Sequence, residues 1–200
     1  MFSISESVKY GWARMKENMH LSVLSTLLML AVGAVSGGGK GLFKSLFGIL
    51  AAILLIVIRI GYSKIFLRIT DNDKPKFSDI FRSYPLFWKY LGISILFPVI
   101  VFVGLLLLIL PGILWAVRFS FAPLILVDTN MGIIASMKES WAITEGNFWS
   151  LLLFWIVVGV LNFLGFLALG IGLLVSVPVT TFSSIFVYRA LSRGRAGITI

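Results

Sequence analysis

The chain reads as an all-α integral membrane protein: six transmembrane helices in three hairpins, each hairpin preceded by an interfacial amphipathic helix. Three observations lead there. Hydrophobic residues make up 59% of the chain and charged residues only 12%, for a mean hydropathy of +1.04. Apolar runs recur at about 20 residues, the length that crosses hydrocarbon roughly 30 Å thick at 1.5 Å per residue. The charges gather in short stretches beside those runs. The spans consume most of the length, so residues 1–200 read as a single membrane domain.

Six runs qualify: Leu21–Ser36, Leu46–Leu67, Tyr90–Leu110, Ile113–Val127, Phe148–Leu169 and Ile171–Tyr188, the fourth of them short. Basic residues in the connecting segments orient them, because Lys and Arg are retained on the cytoplasmic side. With both ends on one side, thirteen of the 17 Lys and Arg face that side, and only Lys40 and Lys44 face the other. Arg59 and Arg118 lie deeper within spans. The expectation is a multi-pass protein of the cell membrane with both termini in the cytoplasm. The net charge of +9 belongs beside anionic lipid rather than on nucleic acid, since the basic residues flank the spans. Leu21–Val32 followed by Ala34, Val35, Ser36 and Gly37 imitates a cleavable signal. The preceding stretch is too long and too mixed in charge for one.

Each pair of spans follows an amphipathic stretch. Residues 7–18, SVKYGWARMKEN, align without a gap with residues 136–147, SMKESWAITEGN, sharing Ser, Lys, Trp, Ala and Asn. At 100° per residue, Ile4, Val8, Trp12, Met15 and Met19 share one face of the first helix. Ser3 and Glu6 have the spacing of a capping box, which starts that helix after Ser3. Ile134, Met137, Trp141 and Phe148 form the corresponding stripe in the later helix. A third stretch, Ser78–Trp88, gathers Ile80, Phe81, Tyr84, Phe87 and Trp88, with Pro85 placed to start the next helix. Helices of this kind lie in the interface, with Trp12, Trp88 and Trp141 as anchors. Extension of the spans into the cytoplasm is the competing reading. The units are 3–68, 78–128 and 132–192, three parallel copies of one plan.

Turns divide the pairs. Pro111-Gly112 interrupts one apolar stretch and Gly170-Ile171-Gly172 another. Ser36–Lys40, SGGGK, lacks the Gly-Lys-Ser/Thr order of a phosphate loop and reads as a flexible turn.

Residues that could carry chemistry are few. His20 is the only histidine and sits at the mouth of a span, all eight acids lie outside the spans, and there is no cysteine. No catalytic set, metal set or cofactor motif results, and the expectation is a protein that is not an enzyme. Gly172, Ser176, Thr180 and Ser184, spaced by four, form a small-residue stripe suited to close helix packing, with hydroxyls free to bond across it. In the same helix Thr180 or Thr181 could satisfy the carbonyl freed by Pro178. Arg59 can snorkel to the interface and is a second candidate for binding lipid phosphate or another anion. Arg118, ten residues before Asp128 on what reads as one helix, lies about 15 Å deep with no acid at its level. A guanidinium at that depth costs about 2.5–3.5 kcal/mol unless hydrated or paired. Lipid phosphate or another anion is therefore its expected ligand, with Thr180 and Thr181 at matching depth as polar company.

Pro111-Gly112, Arg118, Pro123, Asp128, Gly132, Ser140-Trp141 and Thr144 with Gly146 occur in that order between residues 111 and 149. This segment resembles the membrane domain found beside some glycerophosphoryl diester phosphodiesterases and its stand-alone relatives. The resemblance implies a six-helix membrane domain without the phosphodiesterase, whose two catalytic histidines cannot come from His20 alone. The expected function is membrane organisation through contacts with lipids, anionic ones included, or with a second copy or a membrane partner protein. The alternative is a small carrier or channel component for an anionic solute.

Overall fold

The structure is a computed structural model that describes residues 2–35, 42–168 and 170–195. The described residues form helices and turns, with no strand among them. The signal-like end at Ser36-Gly37, the SGGGK stretch and Leu169 lie outside the described residues.

Helix α1 (Ile4–Glu17) begins as its sequence requires: the Ser3 hydroxyl accepts the Glu6 backbone N–H at 3.4 Å. The chain turns at Asn18 into α2 (Met19–Val35), and the two helices meet at 99°. A bend that large rules out α1 as a straight extension of its span. Next come α3 (Leu42–Thr70), a 3-10 segment (Phe77–Leu86), α4 (Phe87–Leu107), α5 (Ile109–Arg118) and α6 (Ala122–Thr129). The chain finishes with α7 (Ile133–Ile143), α8 (Phe148–Leu167) and α9 (Leu173–Arg195). Among the described residues five helical segments are long and apolar enough to cross a membrane: Gly48–Thr70, Phe87–Leu107, Ile109–Thr129, Phe148–Leu167 and Leu173–Gly194. Counting the bent pair α1–α2 as one span brings the number to six.

Two breaks differ from expectation, and proline explains both. Proline has no N–H for the carbonyl four residues back, and its ring clashes with that carbonyl. Pro111 therefore ends α4 at Leu107, and Leu108 is extended (φ −163°, ψ 146°). The turn lies three residues before Pro111-Gly112, both of which belong to the start of α5, where proline needs no N–H. Pro123 likewise ends α5 at Arg118, so Arg118 and Asp128 stand on two helices, α5 and α6. The expected single helix over Ile113–Val127 is thus corrected to a broken segment that starts earlier. The Gly170 turn falls where expected, at φ +76°.

Helix α9 is the hub, packing against α1, α2, α3, α7 and α8. Its Phe182 meets Phe66 of α3 at 4.4 Å between ring centroids, and Phe66 stacks on Tyr62 at 4.2 Å. Around them Ile58, Ile65, Ile125, Phe154 and Ile185 are fully buried. Glycines set the tightest approaches. Gly11 of α1 lies against the Val179 carbonyl and Ser183 of α9, and Gly61 of α3 lies against the backbone of Ile80. Gly104 and Gly112 let α4 and α5 touch backbone to backbone.

The inward faces of α1 and α7 are built largely from small residues. The buried positions are Ser7, Gly11 and Met15 in α1, and Ser136, Met137, Ser140 and Ile143 in α7. Trp12 (45% exposed), Ile134 (57%) and Trp141 (37%) stay toward the outside. Small residues win the inner face because they let a helix close onto its neighbours, whereas an indole would hold it off. Of the expected helix over Ser78–Trp88, the part up to Leu86 is a 3-10 segment and Phe87 and Trp88 open α4; Ile80 is buried, and Trp88 is 77% exposed.

Candidate functional site: an arginine seated on a tryptophan

Arg118 ends α5, and its carbonyl accepts the Ser140 hydroxyl of α7 at 2.7 Å. Thr144 also reaches that carbonyl, at 3.5 Å. These bonds pin α7 to the α5–α6 break and set Trp141 under the guanidinium, 5.2 Å from its carbon to the ring centroid. Phe119 supports the same indole at 5.4 Å, and Ser120 accepts the Trp155 N–H at 3.2 Å. The guanidinium Nε and Nη1 are buried and make no hydrogen bond among the described residues. Leaving charged donors bare costs more than leaving neutral ones bare. The arrangement offers a planar fork on an aromatic face, geometry that takes a phosphate or carboxylate in two places.

The remaining sequence-derived residues do not join it. Arg59 is exposed on α3. Thr181 bonds the Val177 carbonyl at 2.8 Å and pairs with the Tyr62 hydroxyl at 3.4 Å. Thr180 bonds the Ser176 carbonyl at 2.9 Å and Asn162 of α8. Both threonines are thus occupied away from Arg118, and neither reaches Leu174, the carbonyl that Pro178 frees. In the small-residue stripe, Gly172 and Ser176 lie against Gly165 of α8. Only Thr180 bonds across the contact; Ser176 Oγ is buried without a partner, and Ser184 bonds back to the Thr180 carbonyl at 2.8 Å. Trp12, Trp88 and Trp141 are all exposed, as is Trp149, which the sequence reading passed over.

Two polar assemblies escaped the sequence. Asp128 accepts the Tyr188 hydroxyl at 2.7 Å and two bonds from Arg189, at 2.8 and 3.1 Å. Arg189 also reaches Asp71 at 2.8 Å, so one cation ties α9 to the ends of α3 and α6. The available signal was that Asp71, Asp128 and Arg189 each end a span on the same side. Asn72 and Asn130, the left-handed residues just past those two helices, each hold a basic side chain. Arg14 bonds Asn72 at 2.8 Å and Lys89 bonds Asn130 at 2.8 Å. A bond to Tyr10 is the main reason the Arg14 guanidinium holds its proton more tightly than usual. The second assembly lies within the bundle: Thr26 of α2 and Thr181 of α9 meet the buried Tyr62 hydroxyl at 3.2 and 3.4 Å. Among the described residues no three His, Asp or Glu cluster as a metal site.

No family model and no solved structure matches the chain. It is 35% identical over 115 positions to a UPF0259 membrane protein of Sodalis glossinidius, covering 55% of this chain and 46% of that protein. A second UPF0259 membrane protein, of Pectobacterium carotovorum, is 32% identical over 65 positions. Those names and the long apolar helices agree. The chain is a multi-pass membrane protein. An uncharacterized protein of Mycobacterium tuberculosis is 25% identical over 228 positions, covering 97% of this chain and 70% of that relative. The chain therefore spans about half the length of the Sodalis relative. None of these relatives' names mentions a glycerophosphoryl diester phosphodiesterase.

Proposed function

We propose that the protein works without catalysis, in membrane organisation, by holding anionic lipid phosphate at Arg118. The observation that carries this reading is the Arg118 guanidinium, set on Trp141 with Nε and Nη1 buried and bare. In our reading α2–α3, α4 with α5–α6, and α8–α9 are the three hairpins, with α1, the 3-10 segment and α7 at the cytoplasmic interface. The burial of Ser7, Gly11 and Met15 at the positions paired with Ser136, Ser140 and Thr144 supports the internal repeat. Kinship with the membrane domain beside glycerophosphoryl diester phosphodiesterases stays part of the proposal and rests on residues 111–149.

The test is native mass spectrometry of the purified protein and its Arg118 variants. Wild type should retain anionic phospholipid. Arg118→Lys should weaken retention about tenfold, because one point charge replaces a two-pronged contact. Arg118→Leu should abolish retention and keep the fold. Unchanged retention in both variants would sink the reading, and anion flux in proteoliposomes that depends on Arg118 would replace it with a carrier.

A further inference from the structure

The two ends of the bundle are built differently. Arg189 bonds both Asp71 and Asp128, so the ends of α3, α6 and α9 meet at one level, the base. Three short helices pack on those same three: the 3-10 segment on α3, α7 on α6 and α1 on α9. Chain order accounts for the first two, because the 3-10 segment and α7 directly follow the helices they cover. It does not account for α1, which comes from the far end of the sequence and completes a belt around the base.

The three seats are equivalent in depth. Gly11 touches Val179, ten residues before Arg189; Ile80 touches Gly61, ten before Asp71; Ser140 bonds the Arg118 carbonyl, ten before Asp128. Ten residues of helix rise at most about 15 Å, half of a hydrocarbon layer roughly 30 Å thick. The belt therefore lies within one leaflet. Its outer faces mix charge with large apolar groups: Lys9, Trp12 and Lys16 on α1, and Ile134, Lys138 and Trp141 on α7, are exposed. Faces of that composition settle at the boundary of headgroups and acyl chains.

The opposite end is pinched. Helices α4 and α5 join through Leu108 alone, and a Cβ on Gly104 would stand 2.9 Å from the Gly112 Cα. Helices α8 and α9 join at the Gly170 turn, and a Cβ on Gly172 would stand 2.8 Å from the Gly165 Cα. Among the described residues no additional helix lies beside the spans at this end.

Three helices of these lengths, each about 10 Å wide, occupy on the order of 500 Å² when they lie in a leaflet. Area added to one leaflet alone is relieved when the bilayer bends with that leaflet on its convex side, which is why interfacial helices respond to curvature. We propose that the protein is a cone that stabilises curved membrane, with the leaflet around α1, the 3-10 segment and α7 on the convex face. This deepens the membrane-organising role and rests on the hairpin arrangement proposed above, not on the Arg118 ligand.

The experiment reads orientation in vesicles of phosphatidylcholine alone, formed by detergent removal in a small and a large size class. Single-cysteine variants Lys74→Cys, at the base, and Ile171→Cys, at the pinched end, are treated with an impermeant thiol reagent. Labelling is expressed as a fraction of that in detergent. In large vesicles each site should react in about half of the molecules, since a nearly flat bilayer favours neither orientation. In small vesicles, whose outer leaflet is convex, Lys74→Cys should react in severalfold more molecules than Ile171→Cys. Adding Arg118→Leu to either variant should leave that bias in place, because no anionic lipid is present. The two fractions should sum to one in both size classes. A sum well above one would refute the hairpin arrangement and the proposal with it. Fractions that sum to one but ignore vesicle size, or that favour Ile171→Cys in small vesicles, would overturn the cone alone.

Discussion

Replacing Gly61 with alanine tests whether the 3-10 segment is seated on α3 by the absence of a side chain. An alanine Cβ at that position would meet the Ile80 carbonyl oxygen, its Cα at 2.5 Å and its carbonyl carbon at 2.6 Å. All three are backbone atoms of a residue with no exposed surface, so none can rotate aside. Overpacking of this kind costs about 1–3 kcal/mol. Glycine to alanine within a helix returns about 0.5–1 kcal/mol, which leaves a net loss on the order of 1–2 kcal/mol. Gly159 of α8 supplies the control, because a Cβ there meets nothing within 4 Å. The same substitution at Gly159 should stabilise by about 0.5–1 kcal/mol. Reversible unfolding in mixed micelles, titrated with sodium dodecyl sulfate and followed by circular dichroism, measures both. About 1.4 kcal/mol is a tenfold change in the unfolding constant, so the opposite signs are resolvable. Gly61→Ala as stable as wild type would show that α3 and the 3-10 segment are not locked at this contact.

Further expectations follow from the polar assemblies and the topology. Asp128→Ala removes three hydrogen bonds from side chains that are 16% and 25% exposed at the Asp128–Arg189 pair, and should cost about 1–3 kcal/mol. A double-mutant cycle with Arg189→Met should show coupling, and strict additivity would count against the tie between α6 and α9. Tyr62→Phe loses the contacts to Thr26 and Thr181 and should cost about 1 kcal/mol in the same titration; a neutral result would mean the buried hydroxyls do not hold α2, α3 and α9 together. The chain has no native cysteine, so single cysteines report topology cleanly. Ile171→Cys should react with an impermeant thiol reagent in intact cells, and Lys74→Cys and Met131→Cys only after permeabilisation. The reverse pattern would invert the proposed orientation.

Membrane character, the placement of the long apolar helices, the Ser3 cap and the Gly170 turn could be read from residue order. Each depends on local chemistry: a span needs about 20 apolar residues, a cap needs a hydroxyl three residues before an N–H, and a left-handed turn favours glycine. The breaks at Leu108 and Phe119 were also legible in principle, because Pro111 and Pro123 disable the carbonyls four residues earlier. The Pro111-Gly112 pair, read as a turn signal, instead puts the turn on the proline itself. Tertiary structure alone decided what is long-range. A period of 3.6 shows that α7 has two faces, but not that Ser136 and Ser140 turn inward while Trp141 turns outward. That choice belongs to the Arg118 carbonyl and the closeness of the neighbouring helices. Nor could composition pair Asp128 with Arg189, 61 residues away, or seat α1 on α9 through Gly11. Local sequence sets which segments can be helices; the contacts available only after packing decide which side chains meet and which, like Arg118, are left bare.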